Sequence, residues 1–216
     1  MRQIDLMPLK PNTVYHLFSH AVENNNLFYD NGNYDFALQK WAHFAKGYFH
    51  TYAFCLMPNH FHLCVQTLPQ PPNIQLASSS KLDASSATTG SVHSKQMNNF
   101  LSSYAQSLNK QRGRKGTLFR ERFGRIPVYN IDHFKDLMCY IHHNPIHHFD
   151  YEDYSDWVFS SYPHYAFGNE STFLNTEIPL NRFKGKENMM THHENFKQQK
   201  RFSLIEKEVE DFYLNY

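Results

Sequence analysis

The chain has 216 residues, which at roughly 100–200 residues per domain makes one domain with appendages or two small ones. Hydrophobic residues make up 41% and aromatic residues 16%, which supplies a sizeable core and excludes wholesale disorder. No apolar run approaches the roughly 18 residues of a membrane span, and Met1-Arg2-Gln3-Ile4-Asp5-Leu6 lacks the apolar stretch of a signal peptide, so a soluble, cytoplasmic protein without a membrane partner is expected. The formal net charge of +1 does not mark the whole chain as a polyanion binder. The charge is uneven, however. Between Lys95 and Arg125 it carries Lys95, Lys110, Arg112, Arg114, Lys115, Arg120, Arg122 and Arg125 against the single acid Glu121, and a local patch of this kind can hold nucleic acid. Cys55, Cys64 and Cys139 are odd in number and sit among apolar neighbours, so they read as reduced core residues.

Residues 1–12 form a polar lead-in. Val14 to Val22 reads as a strand, broken by Asn24-Asn25-Asn26. Asn33 can cap a helix whose apolar residues (Phe36, Ala37, Trp41, Phe44, Ala45 and Tyr48) recur at helical period as far as Gly47. His50 to Met57 and Phe61 to Thr67 read as two strands joined through Pro58-Asn59. Residues 69–93 are dense in Pro, Ser, Ala and Thr and read as a flexible insertion. A helix is expected over 94–110, an extended segment over 118–129, and a helix from Ile131, capped by Asn130 and ended by Pro145 near His143. The tail from 168 to 216 is polar, with helices expected at 186–200 and 202–214.

Three groups can carry chemistry. In a strand, His60 and His62 point to one face and can converge on a metal ion while Phe61 faces the core. With 15 histidines in the chain such a pair also arises by chance. On the helix from Ile131, the stripe Phe134, Leu137, Met138 and Ile141 is core, and a neighbouring stripe holds Asp136, Tyr140, His143 and Asn144. Tyr140 can act as a nucleophile beside a metal or base, or simply fill a core edge. An amide oxygen four residues on, at Asn144, could complete a metal site, with His143 a competing ligand. The segment Lys110 to Gly116 offers cations for phosphates and glycines for close approach, with Phe119 and Phe123 placed for base stacking, or else it is a solvated loop. The candidate DNA-binding residues are Lys110, Arg112, Arg114, Lys115, Arg120, Arg122 and Arg125.

In combination these pieces are more specific than any one of them. Ala53-Phe54-Cys55-Leu56-Met57-Pro58-Asn59-His60-Phe61-His62 resembles the HUH signature block of single-tyrosine transposases. The segment Asn109 to Phe123 resembles the basic segment of the REP-associated tyrosine transposase branch. Tyr140-Ile141-His142-His143-Asn144-Pro145 resembles that branch's tyrosine helix, and Trp157-Val158-Phe159-Ser160-Ser161-Tyr162 its usual ending. The resemblance spans residues 13–167. It implies an α+β, ferredoxin-like HUH nuclease fold with a central antiparallel sheet, and the tail from 168 to 216 has no counterpart in it. It further implies His60 and His62 as ligands of Mg²⁺ or Mn²⁺, Asn144 as a further ligand, and Tyr140 as the nucleophile on single-stranded or hairpin DNA. No nucleotide cofactor is implied. Both a monomer and a homodimer stay open, since Tyr140 could serve its own histidines or a partner's. Two readings stand beside this one: a domesticated hairpin binder that does not cleave, and a metal-dependent hydrolase whose activity survives loss of Tyr140. Where the branch often has an Asn-Arg-Gly-Asn sequence after its first strand, this chain reads Ser19-His20-Ala21-Val22-Glu23-Asn24-Asn25.

Overall fold

The structure is a computed structural model. It describes residues 8–23, 25–69, 89–120, 123–148, 151–198 and 201–215. Four strands form one antiparallel sheet: β1 (Val14–His20), β2 (Phe49–Met57), β3 (His60–Thr67) and β4 (Gly124–Pro127), in the order β2-β3-β1-β4. With α1 (Asn31–Ala45) between β1 and β2 and α2 (Thr89–Arg112) between β3 and β4, the order is β-α-β-β-α-β, the ferredoxin-like arrangement. Next come α3 (Ile131–His148), one 3₁₀ turn (Tyr154–Asp156), α4 (Tyr162–Phe167), α5 (Glu177–Phe183), α6 (Lys186–Gln198) and α7 (Phe202–Asn215).

The sheet is covered on both faces, which is why its strands read as nearly continuous apolar runs. One face (Leu17, Phe54, Leu56, Phe61, Leu63 and Val65) packs on Trp41 of α1 and on Met97, Phe100 and Tyr104 of α2. The other (Phe18, Tyr52, Ala53, Cys55 and Cys64) packs on Phe134, Leu137, Met138 and Ile141 of α3 and on the C-terminal helices. A register shift in β2 between Thr51 and Ala53 lets both Tyr52 and Ala53 face α3. The three cysteines are free and buried.

Several boundaries differ from the sequence reading. The N-cap of α1 is Asp30, whose carboxylate accepts from the Asn33 backbone N–H at 3.0 Å, while the Asn33 side chain reaches Tyr29 and Gln111 instead. Asn130 does cap α3, accepting from His133 N–H at 2.8 Å. Pro145 does not end α3. It forgoes one backbone hydrogen bond, yet the helix runs one turn further to His148, because residues 142–145 are all buried and their packing outweighs the local penalty. Helix α2 begins at Thr89 rather than 94, and most of the expected 69–93 insertion lies outside the described residues. The tail packs on the core: Phe183, Met189, Phe196, Phe202, Ile205, Val209 and Phe212 belong to the cluster beneath α3. No helix among the described residues is long and apolar enough to cross a membrane.

Candidate active site

The site lies on the sheet face that meets α3 and α7. The Pro58-Asn59 turn delivers the chain straight into β3, where His60 pairs with Met57 and His20, and His62 pairs with Cys55 and Phe18. The period of two sends both imidazoles to this face and Phe61 to the opposite core. The two rings lie 5.1 Å apart at 75°.

Each ring is held through Nδ1. That of His60 lies 2.8 Å from Asn59 Oδ1. That of His62 lies 2.9 Å from Nε2 of His16, a wholly buried residue of β1. On the far side, His60 Nε2 lies 3.2 Å from Asn144 Oδ1. Asn144 is fixed in turn, since its amide nitrogen donates to the Tyr140 carbonyl at 2.8 Å, one turn back along α3. If Asn59 Oδ1 accepts the His60 proton, then His60 Nε2 and Asn144 Oδ1 present two lone pairs to one another, and a cation is the group that satisfies both. Burial first, then the neighbouring histidines, holds His60 and His62 well below the usual imidazole range, so both are neutral, as ligation requires. Among the described residues no three His, Cys, Asp or Glu side chains form a metal-holding group, so any such site has to count the Asn144 amide.

Tyr140 sits beside His62 and His16. Its ring makes an edge contact with His62 at 5.2 Å and with His16 at 5.7 Å. Tyr140 is 0% exposed, because Phe202 of α7 covers its ring at 4.5 Å. Its hydroxyl donates to Glu206 Oε2 at 2.6 Å. Burial, then the Glu206 charge and hydrogen bond, pushes the phenol well above its ordinary range, so Tyr140 is a protonated, covered side chain in this form. At the open end of the site His20 stacks on His60 at 4.7 Å and meets Tyr213 of α7 at 5.2 Å, and Arg120 lies over Tyr213 at 4.6 Å.

His60, His62, Asn144 and Tyr140 thus come together. His143 does not join them: its ring packs on Tyr154 and Phe196, on the other side of α3. The basic residues are spread out. Lys110 and Lys115 are exposed. Arg112 pairs with Asp30 at 3.2 Å and lies over Tyr29. Arg114 bonds Asn109, Arg125 bonds Ser94 and lies over Phe123, and Arg120 borders the site. Arg122 lies outside the described residues. Phe119 and Phe123 are not base-stacking platforms, because both are buried in the core beneath α1 and α2. The sequence reading missed His16, His20, Phe202 and Glu206. The first two alternate with Phe18 on β1, a signal that acquires meaning only once β1 is paired antiparallel to β3.

Sheet order and helix placement give an α+β fold like that of a solved tyrosine transposase. A solved REP-associated tyrosine transposase bound to a REP hairpin has this fold: it aligns with 81% of this chain and 92% of its own, with a TM-score of 0.56 and 16% sequence identity. No sequence-family profile and no curated protein matches the chain.

Proposed function

We propose that this protein is a transposase-type DNA strand transferase that nicks and rejoins single-stranded DNA at a hairpin through Tyr140. The observation that carries the reading is the convergence of one tyrosine and two buried imidazoles on one sheet face, with Asn144 next to His60 Nε2 and bonded to the Tyr140 backbone. The solved relative of the same fold was captured on a hairpin.

In the proposed reaction the Tyr140 oxygen attacks phosphorus in line and gives its proton to water, and the bond from phosphorus to the 3′ oxygen breaks as that oxygen takes a proton from water. The products are a 5′-phosphotyrosine and a free 3′-OH. An incoming 3′-OH reverses the step, restoring a phosphodiester and returning the tyrosine, so the covalent link conserves the energy and no nucleotide is consumed. His60 Nε2, His62 Nε2 and Asn144 Oδ1 would hold a divalent cation, Mg²⁺ or Mn²⁺. When bound it supplies Lewis-acid stabilisation of charge on the phosphoryl oxygens. Asn59 orients His60 through Nδ1, and the Asn144 amide nitrogen fixes the turn of α3 that carries Tyr140. Exposed Lys110, Lys115 and Arg120, with Arg112, Arg114, Arg122 and Arg125, would neutralise the phosphates.

The covered state of Tyr140 favours a second reading, a hairpin binder that does not cleave. One assay separates the two. The protein is mixed with labelled stem-loop DNA and Mg²⁺ or Mn²⁺, and a denaturation-resistant protein–DNA band is sought in the wild type, Tyr140→Phe and His60→Ala. A band lost in both variants supports the transferase. Cleavage without a band that persists in Tyr140→Phe indicates a water-activating hydrolase. Tight binding with neither band nor cleavage indicates the binder.

A further inference from the structure

Both candidate metal-ligating imidazoles are gripped by Nδ1, but the two grips differ. Asn59, next in sequence, holds His60. His62 is held by a residue 46 positions away on another strand: His16 Nε2 lies 2.9 Å from His62 Nδ1. His16 is paired with Cys64, so its side chain leans diagonally across β1 and β3 toward His62 on the same face. Both rings are buried, and neither of these two nitrogens has water to turn to.

A neutral pair of imidazoles joined in this way has two arrangements. In one, His62 Nδ1–H donates to His16 Nε2, and the lone pair of His62 Nε2 is free to ligate. In the other, His16 Nε2–H donates to His62 Nδ1, so the remaining proton of His62 sits on Nε2 and blocks ligation. Which arrangement holds decides whether His62 can act as a ligand, and the first sets the His16 proton on Nδ1, a buried atom without a hydrogen-bond partner among the described residues, which is the cost of freeing His62 Nε2.

We infer that His16 is a positioning residue for His62: its Nε2 accepts the Nδ1 proton, which fixes the His62 ring and turns a bare Nε2 toward the site. This rests on the reading of His62 as a metal ligand. It assigns a role in the site to the first strand. Ring-orienting partners of this type commonly matter by about 10- to 100-fold in metal affinity.

The test uses the full chain and two readouts. Nitrogen-15 NMR of the histidine side chains reports the His62 tautomer, and Mn²⁺ titration followed by electron paramagnetic resonance reports affinity. His16→Phe keeps an aromatic ring and removes the acceptor, whereas His16→Gln places an amide oxygen near the Nε2 position. The expected result is a wild-type His62 protonated on Nδ1, with Mn²⁺ affinity falling at least about 10-fold in His16→Phe and recovering in His16→Gln, at matched thermal melts. If His16→Phe does not fold, His16→Gln against His16→Leu carries the comparison. A wild-type His62 protonated on Nε2 overturns the inference, as does a folded variant without the acceptor that binds Mn²⁺ as the wild type does. Failure of the wild type to bind Mn²⁺ at all falls on the metal reading instead, and the His62 tautomer then still decides the role of His16.

Discussion

On the proposed transferase reading, Tyr140 cannot meet a phosphate while α7 is seated over it, so loosening that seat should raise adduct formation while leaving Tyr140 and the histidines unchanged. Ile205 is the residue to shorten. It is 4% exposed, belongs to the cluster between α7, α3 and the sheet, and carries no group that could react or ligate. A buried Ile→Ala replacement costs about 2–5 kcal/mol, with the low end appropriate at the edge of a core. At 1.4 kcal/mol per factor of ten, about 2 kcal/mol shifts the balance between seated and lifted α7 by roughly 30-fold. If the helix lifts as a local unit, the single-turnover rate of the Tyr140–DNA adduct rises by a similar factor. Glu206→Gln keeps an acceptor for the Tyr140 hydroxyl but gives up its charge, so a smaller rise, on the order of 5-fold, is expected. The assay pairs adduct kinetics on labelled stem-loop DNA with amide hydrogen exchange, and Tyr140→Phe sets the background. Faster exchange confined to 202–215 with an adduct rate unchanged or lowered would refute the reasoning, and would mean that α7 assists the chemistry.

Three further outcomes follow from the packing. Acid should destabilise the fold from about pH 6.5 downward. Burial above all lowers His193 to about 3 and His142 well below its usual range, so the unfolded chain takes up protons that the fold refuses. One unit below pH 6.5 each such histidine costs about 1.4 kcal/mol, and urea unfolding at pH 7.5 and 5.5 with a difference smaller than that would sink the account. Gly124→Ala should lower the melting temperature, because a Cβ there would run into the Phe18 ring, and overpacking of this type costs about 1–3 kcal/mol or more. A melt like the wild type's would contradict this close approach of β4 to β1. Charge reversal at Lys110 or Lys115 should weaken hairpin binding and reduce its salt dependence by about one counterion each. Arg112→Ala should do less, since Asp30 already occupies that guanidinium. Filter binding between 50 and 200 mM salt, as a rough working range, separates these cases.

What the sequence disclosed follows the range of the forces involved. The β-α-β-β order, the α3 core stripe and the His60/His62 face are set by local periodicity, which a single chain displays. Pro145 misled because its local cost is plain in the sequence, whereas the burial that outweighs it involves contacts with distant segments. Phe119 and Phe123 looked like stacking platforms because they alternate with arginines, yet the core beneath α1 and α2 claimed them. His16 and Glu206 were invisible for the same reason. One becomes significant through a strand register, and the other through a helix that folds back from beyond residue 200 onto Tyr140.

The two-faced sheet has a genetic consequence. On both β1 and β3 the odd-numbered positions (Leu17, Phe61, Leu63) look toward α1 and α2, and the even-numbered ones (His16, His20, His60, His62) look toward Tyr140 and α7. In an unbiased mutant screen, lesions at odd positions should appear as poorly expressed or temperature-sensitive protein. On the proposed reading, lesions at His60 and His62 should appear as protein that accumulates but forms no covalent link to DNA.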